Sequence, residues 1–82
     1  MITSSQIRSA RHALKLSVDE LSRESGVSVR TIKRMEVGNS VPTSTVPNIN
    51  AIQRALEAAG IEFIGTPDDG PGIRIHVRKT AE

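Results

Sequence analysis

Apolar residues recur at helical spacing through the first two thirds of the chain and alternate with polar residues in the last third. Near the N-terminus, Thr3 and Gln6 form a capping-box signature, in which each side chain bonds a backbone N–H that a helix start leaves unpaired. Ile7, Ala10 and Leu14 follow at the spacing of one helix face. This pattern predicts a first helix with one buried side.

The segment over residues 17–38, SVDELSRESGVSVRTIKRMEVG, predicts two short helices separated by a turn. Ser17 and Glu20 repeat the capping-box signature, so we expect a helix to begin directly after Ser17. Gly26 is expected to end it, because glycine adopts the left-handed conformation that follows a helix without a steric clash. Val27 then fills the turn. Two helices joined in this way form a helix-turn-helix.

The second helix of this pair combines a narrow apolar stripe with a cationic face. Ser28 is expected to cap it, and Val29, Ile32 and Met35 are its strongly apolar interior positions. The rest of its surface presents three basic residues, Arg30, Lys33 and Arg34. A helix with a compact cationic face after a glycine-containing turn is typical of proteins that read the major groove of DNA.

Two kinds of element are predicted beyond a loop rich in Pro, Thr and Ser. A fourth helix begins between Thr45 and Asn48, and Gly60 ends it. After Gly60 the pattern alternates, which predicts strands over residues 61–64 and 73–78 with the turn-rich loop GTPDDGPG between them. The fold expected from these elements is mainly α, with four helices and a C-terminal two-stranded β extension.

The strand pair needs a partner surface, because an isolated two-stranded hairpin is only marginally stable in water. We favour pairing with a second copy of the chain. The predicted dimer contacts are Ile61, Phe63, Ile73, Ile75 and Val77. In the alternative, the hairpin folds back on the fourth helix of its own chain and covers Ile52 and Leu56. The predicted divisions are a DNA-binding domain over residues 1–60, a dimerisation element over residues 61–78 and a tail over residues 79–82.

Charge and aromatic content narrow the expected partner. Residues 1–41 carry seven Lys or Arg and four Asp or Glu, whereas residues 42–82 carry four and five. Positive charge therefore accompanies the helix-turn-helix, as contact with phosphates requires. Phe63 is the one aromatic residue of the chain. Binders of single-stranded nucleic acid stack bases on several aromatic side chains, so double-stranded DNA is the better partner.

The sequence gives little support for a metal site, a catalytic site or a membrane span. The chain has no cysteine, and His12 and His76 have no partners at metal-ligand spacing, so we predict neither a metal nor a cofactor. Asp68 and Asp69 fit a turn better than a cation-binding loop. No nucleophile motif or phosphate-binding loop occurs, and we predict that the protein is not an enzyme. Without a long apolar stretch we expect no membrane span and a cytoplasmic location.

The stretch QIRSARHALKLSVDELSRESGVSVRTIKRMEVGNSVP resembles the phage repressor and Cro type of helix-turn-helix family, often called XRE. The resemblance covers residues 2–59. It implies a lambda-repressor-like four-helix fold, and it implies that Arg11 of the first helix pairs with Glu36 of the third. One departure is Val18, because many relatives have at this position a Gln that contacts phosphate.

The resemblance also implies which residues contact DNA. The expected base contacts are Ser28, Val29, Arg30, Lys33 and Arg34, where Lys33 lies beside the others and could instead meet phosphate. The expected phosphate contacts are Ser17, Thr31 and Asn39. Ser17 could reach phosphate through its hydroxyl or through the N-terminus of its helix.

Two functions are consistent with these expectations. We favour a sequence-specific transcription regulator, most simply a dimeric repressor on a palindromic operator. The alternative is an antitoxin-like interaction protein, which captures a toxin-like partner by strand addition through residues 61–77 and also regulates its own operon. A partner that co-purifies at equal stoichiometry would favour the alternative.

Overall fold

Four helices are followed by a β-hairpin in the computed structural model of the chain, which describes residues 1–76. The elements are α1 (Ser4–Ala13), α2 (Val18–Ser25), α3 (Val29–Met35), α4 (Val46–Ala58), β1 (Ile61–Thr66) and β2 (Asp69–Ile75). The predicted fold class is therefore confirmed.

Every helix begins after a hydroxyl side chain that accepts a bond from a backbone N–H of the first turn. These N-cap residues are Thr3, Ser17, Ser28 and Thr45. Both predicted capping boxes are present in full, with Gln6 and Glu20 returning a bond to the backbone of the cap. Because a lost cap costs about 1 kcal/mol, these short helices depend strongly on them.

The end of α1 adopts a left-handed conformation without glycine. Lys15 has a φ of 58°, its N–H donates to the carbonyl of His12, and the N–H of Leu16 donates to the carbonyl of Arg11. These two bonds close the helix and turn the chain toward α2. At the end of α2 the same conformation falls on Gly26, with a φ of 77°, as predicted.

The core collects the apolar stripe of each helix. Its fully buried side chains include Ile7 from α1, Leu21 from α2, Ile32 from α3, and Ile52 and Leu56 from α4. Val27, in the turn between α2 and α3, is also buried, as the sequence predicted. The helix-turn-helix therefore rests on a support formed by α1 and α4.

The hairpin pairs β1 with β2 inside one chain. Ile61 lies opposite Ile75, and Phe63 lies opposite Ile73. The predicted loop over residues 65–72 was too long: pairing continues through Thr66 and Asp69, and the turn consists only of residues 67 and 68. The second strand begins earlier than predicted and ends at Ile75, and residues 77 and 78 of the predicted strand lie outside the described residues.

Gly65 explains why the strands extend beyond the predicted limits. The register shifts between Ile64 and Thr66, and Gly65 takes a φ of 76° at this irregularity. A Cβ atom at Gly65 would overlap the backbone of Gly70 on the facing strand. Glycine thus allows a close approach that keeps the hairpin paired through the bulge.

The hairpin packs on the helices of its own chain. Ile61 is only 3% exposed and belongs to the core, and Phe63 and Ile73 pack against that core. Gln6, the capping residue of α1, donates from Nε2 to the carbonyl oxygens of Ile64 (3.1 Å) and Gly72 (2.8 Å). One side chain therefore joins the start of α1 to both strands.

A charged cluster lies on the exposed surface of the hairpin. Glu62 Oε1 is 2.7 Å from His76 Nε2 and 3.3 Å from Arg74 Nη1. The bond with His76, together with the charge of Arg74, holds the pKa of the Glu62 carboxyl below its usual value. Exposed pairs of this kind contribute little to stability.

Candidate nucleic-acid interface

The turn between α2 and α3 is fixed by two serines of α2. Ser22 Oγ donates to the carbonyl of Val27 at 2.6 Å, and Ser25 Oγ accepts from the N–H of Val27 at 3.1 Å. With its side chain buried, Val27 is held from three directions. The angle between the two helices is therefore set by local bonds and by the core together.

The exposed surface of α3 is cationic. Ile32 and Met35 are fully buried, and Val29 is partly buried. The three basic side chains, Arg30, Lys33 and Arg34, are exposed. Among residues 1–76 none of the three has an acidic partner within ion-pair distance. Their charges are therefore available to a ligand.

Hydroxyl groups surround the beginning of α3. Ser28 Oγ accepts from the N–H of Thr31 at 3.2 Å and donates to Thr31 Oγ1 at 2.9 Å. Since the Thr31 oxygen acts as the acceptor in this bond, its own hydrogen is free to reach a phosphate oxygen. Ser28 is therefore engaged in capping, and Thr31 is the freer donor of the two.

Ser17 has a comparable position at the beginning of α2. Its Oγ accepts from the N–H of Glu20 at 3.0 Å, and its own N–H donates to Glu20 Oε1 at 2.8 Å. The bond from the Ser17 N–H is the largest cause that lowers the pKa of the Glu20 carboxyl, and a hydrogen bond from the Ser17 side chain lowers this pKa further. The Ser17 residue is exposed at the start of α2, as a contact with phosphate requires.

Arg11 and Glu36 connect α1 with the end of α3. Arg11 Nε lies 2.7 Å from Glu36 Oε2, and Nη2 lies 2.9 Å from Oε1, which is a bidentate pair. The two side chains are 14% and 9% exposed. Arg11 Nη1 also donates to the carbonyl of Leu16 at 2.9 Å. The bond to Glu36 is the main cause that raises the pKa of Arg11.

A second arginine of α1, which the sequence reasoning did not identify, lies beside this pair. Arg8 donates from Nη1 to the backbone carbonyls of Glu36 and Gly38, and from Nη2 to Asn39 Oδ1 at 2.9 Å. The signal that could have found it is its spacing from Arg11, because residues three apart share a helix face.

The model of the helix-turn-helix family matches residues 7–62, which is more than half of the chain. The chain belongs to the XRE-type helix-turn-helix family. Members are DNA-binding transcription regulators and are generally not enzymes. No curated protein matches the chain with significant similarity. In residues 1–76, no helix has the length and apolar character that a membrane span requires.

The family match includes only the first residues of β1, so most of the hairpin of this XRE-type regulator lies beyond it. Of the five predicted dimer contacts, Ile61, Phe63 and Ile73 pack within their own chain. Ile75 is 51% exposed. Val77 lies outside the described residues. Ile75 is thus the predicted contact that remains accessible to a second molecule.

Proposed function

We propose that this XRE-type regulator is a dimeric repressor that binds a palindromic operator with α3 in the major groove. The observation that carries this proposal is the division of α3, which buries Ile32 and Met35 and exposes Arg30, Lys33 and Arg34. A helix supported on one side and cationic on the other can enter the groove without disturbing the core.

Within this proposal, the exposed residues have different tasks. Arg30 and Arg34 read bases, because a guanidinium can donate two bonds to O6 and N7 of guanine. Ser28 and Val29 border the same bases at the start of α3, and Lys33 meets either a base or a phosphate. The phosphate contacts are Ser17, Thr31 and Asn39. Bonds to the backbone set the register, and bonds to base edges supply the specificity.

Replacing Arg30 or Arg34 with alanine tests the proposal. Each change is expected to relax specificity at one operator position by about 1–3 kcal/mol, the worth of a bidentate contact with guanine. Selection from randomised duplexes would first define the operator, and titration of single-base variants would then measure the loss. Equal losses on the selected operator and on random DNA would contradict base reading by both arginines.

Lys33→Ala is the matched comparison on the same helix. If Lys33 meets phosphate, this variant weakens binding to all sequences alike and lowers the slope of log K against log salt by about one unit. A loss confined to one operator position would assign Lys33 to a base instead.

Dimerisation is proposed to use the hairpin. Two recognition helices must lie about one DNA turn apart, roughly 34–36 Å, to read both half-sites. The hairpin is a two-stranded sheet, and such a sheet has outer strand edges at which a second copy can pair. The half-exposed side chain of Ile75 supports a contact at the end of β2.

Ile75→Lys is expected to convert the dimer into a monomer, because a lysine at the contact would be buried without a partner. Sedimentation equilibrium measures the change, and loss of tight binding to the whole palindrome should accompany it. Val46→Lys is the matched control, since Val46 is 53% exposed on α4 and lies outside the proposed contact. A dimer that survives Ile75→Lys would contradict the role of the hairpin.

The antitoxin-like alternative is supported by the same exposed end of β2. A foreign strand could add to this edge and cover Ile75, while α3 would still bind DNA for autoregulation. Co-purification of a second chain at equal stoichiometry, abolished by Ile75→Lys, would favour this alternative over the homodimer.

A further inference from the structure

The guanidinium of Arg8 donates hydrogen bonds to three acceptors at the junction between α3 and the following loop. Nη1 donates to the carbonyls of Glu36 and Gly38, and Nη2 donates to Asn39 Oδ1 at 2.9 Å. Arg8 is half-buried, and all three acceptors come from residues 36–39. The guanidinium therefore bonds to acceptors of its own chain.

The backbone at this junction needs such a donor. The last carbonyls of a helix have no partner within the helix and carry the negative end of its dipole. Glu36 is the C-cap of α3, and Gly38 then takes a left-handed φ of 87°. The guanidinium of Arg8 spans this bend and ties it to α1. It thereby fixes the course of the chain as it leaves the recognition helix.

The same contact orients the side chain of Asn39. A guanidinium has donors but no acceptor, so the amide oxygen of Asn39 must face Arg8. Its Nδ2 group, with two donor hydrogens, then points away from Arg8. Asn39 is exposed, and it lines the same surface cleft of about 340 Å³ as Arg34. The free donor thus lies next to the cationic surface of α3.

We propose that Arg8 is a positioning residue for DNA binding, which holds residues 36–39 against α1 and aims the Nδ2 of Asn39 at a DNA phosphate. The inference rests on the proposed phosphate contact of Asn39 and explains how a neutral side chain in a loop is held ready for it. Arg8 itself does not touch the DNA.

The experiment compares Arg8→Ala, Asn39→Ala and the double variant by fluorescence anisotropy with a labelled duplex of mixed sequence over a series of salt concentrations. Each single variant is expected to bind about tenfold more weakly, the effect of one hydrogen bond to a charged group. The double variant should bind no more weakly than either single variant. The salt slope should stay unchanged, because Asn39 is neutral and Arg8 releases no counterion.

Arg54→Ala is the matched control for the loss of one positive charge, since Arg54 is exposed on α4 and outside the proposed DNA contacts. It should leave the affinity close to that of the unmodified protein. Arg8→Lys keeps the charge but cannot span three acceptors, so it should also bind more weakly at an unchanged salt slope. Thermal unfolding establishes that each variant is folded at the assay temperature.

Three results of the binding experiment would overturn the inference. They are a salt slope lowered by about one unit in Arg8→Ala, which marks a direct phosphate contact, full affinity in Arg8→Ala, and additive losses in the double variant. Failure of the unmodified protein to bind any duplex would instead remove the proposed function. An experiment without DNA provides a further test. If the side-chain amide signal of Asn39 keeps its position in the NMR spectrum of free Arg8→Ala, the inference is overturned.

Discussion

Replacing Glu36 with alanine is expected to lower the free energy of unfolding by about 3 kcal/mol, because it leaves the Arg11 guanidinium mostly buried without its partner. The pair is bidentate, with N–O distances of 2.7 and 2.9 Å. In residues 1–76 it is the only side-chain ion pair between α1 and the end of α3. Urea denaturation at neutral pH measures the loss.

A double-mutant cycle separates the pair from other effects of the substitutions. Arg11→Ala also removes a bond to the carbonyl of Leu16, so only the cycle isolates the coupling between Arg11 and Glu36. Glu24→Ala is the matched control, because Glu24 is exposed on α2 and a surface change of this kind stays within about 0.5 kcal/mol. A coupling energy near zero would show that the pair does not hold α1 to α3.

The helices could be predicted from the sequence because their signals are local. Thr3 with Gln6 and Ser17 with Glu20 each act across three residues, and Gly26 ends α2 by its own conformational freedom. The buried side of α3 follows from the spacing of its apolar residues. These rules need no knowledge of the rest of the chain, and the structure contains each of the features they indicate.

The contacts that connect distant elements could not be predicted in this way. Gln6 reads as a capping residue, and nothing near it indicates that its amide also meets Ile64 and Gly72, 58 and 66 residues away. Arg8 shares a helix face with Arg11, yet nothing in the sequence indicates its acceptors, which include backbone atoms some 30 residues further on. Contacts to backbone carbonyls leave no trace in the residue type of the acceptor.

Ending the chain after Gly60 is expected to unfold most of the protein, although the four helices described in residues 1–76 all precede this residue. The truncation removes Ile61 from the core and the packing of Phe63 and Ile73 against it, and the loss of large core side chains costs about 2–5 kcal/mol each. A domain of this size has a total stability of only about 5 kcal/mol. Circular dichroism during heating would show a weak or absent transition.

A chain that ends after His76 is the matched control, because it keeps β1, β2 and every hairpin contact of the described residues; it should unfold cooperatively. Gln6→Glu tests the hairpin contact without deleting residues. A glutamate can still accept from the N–H of Thr3, but its carboxylate cannot donate to the carbonyls of Ile64 and Gly72, so stability should fall by about 2 kcal/mol. A stable, cooperatively folded chain ending at Gly60 would contradict the expected unfolding on truncation and would show that the helices fold without the hairpin.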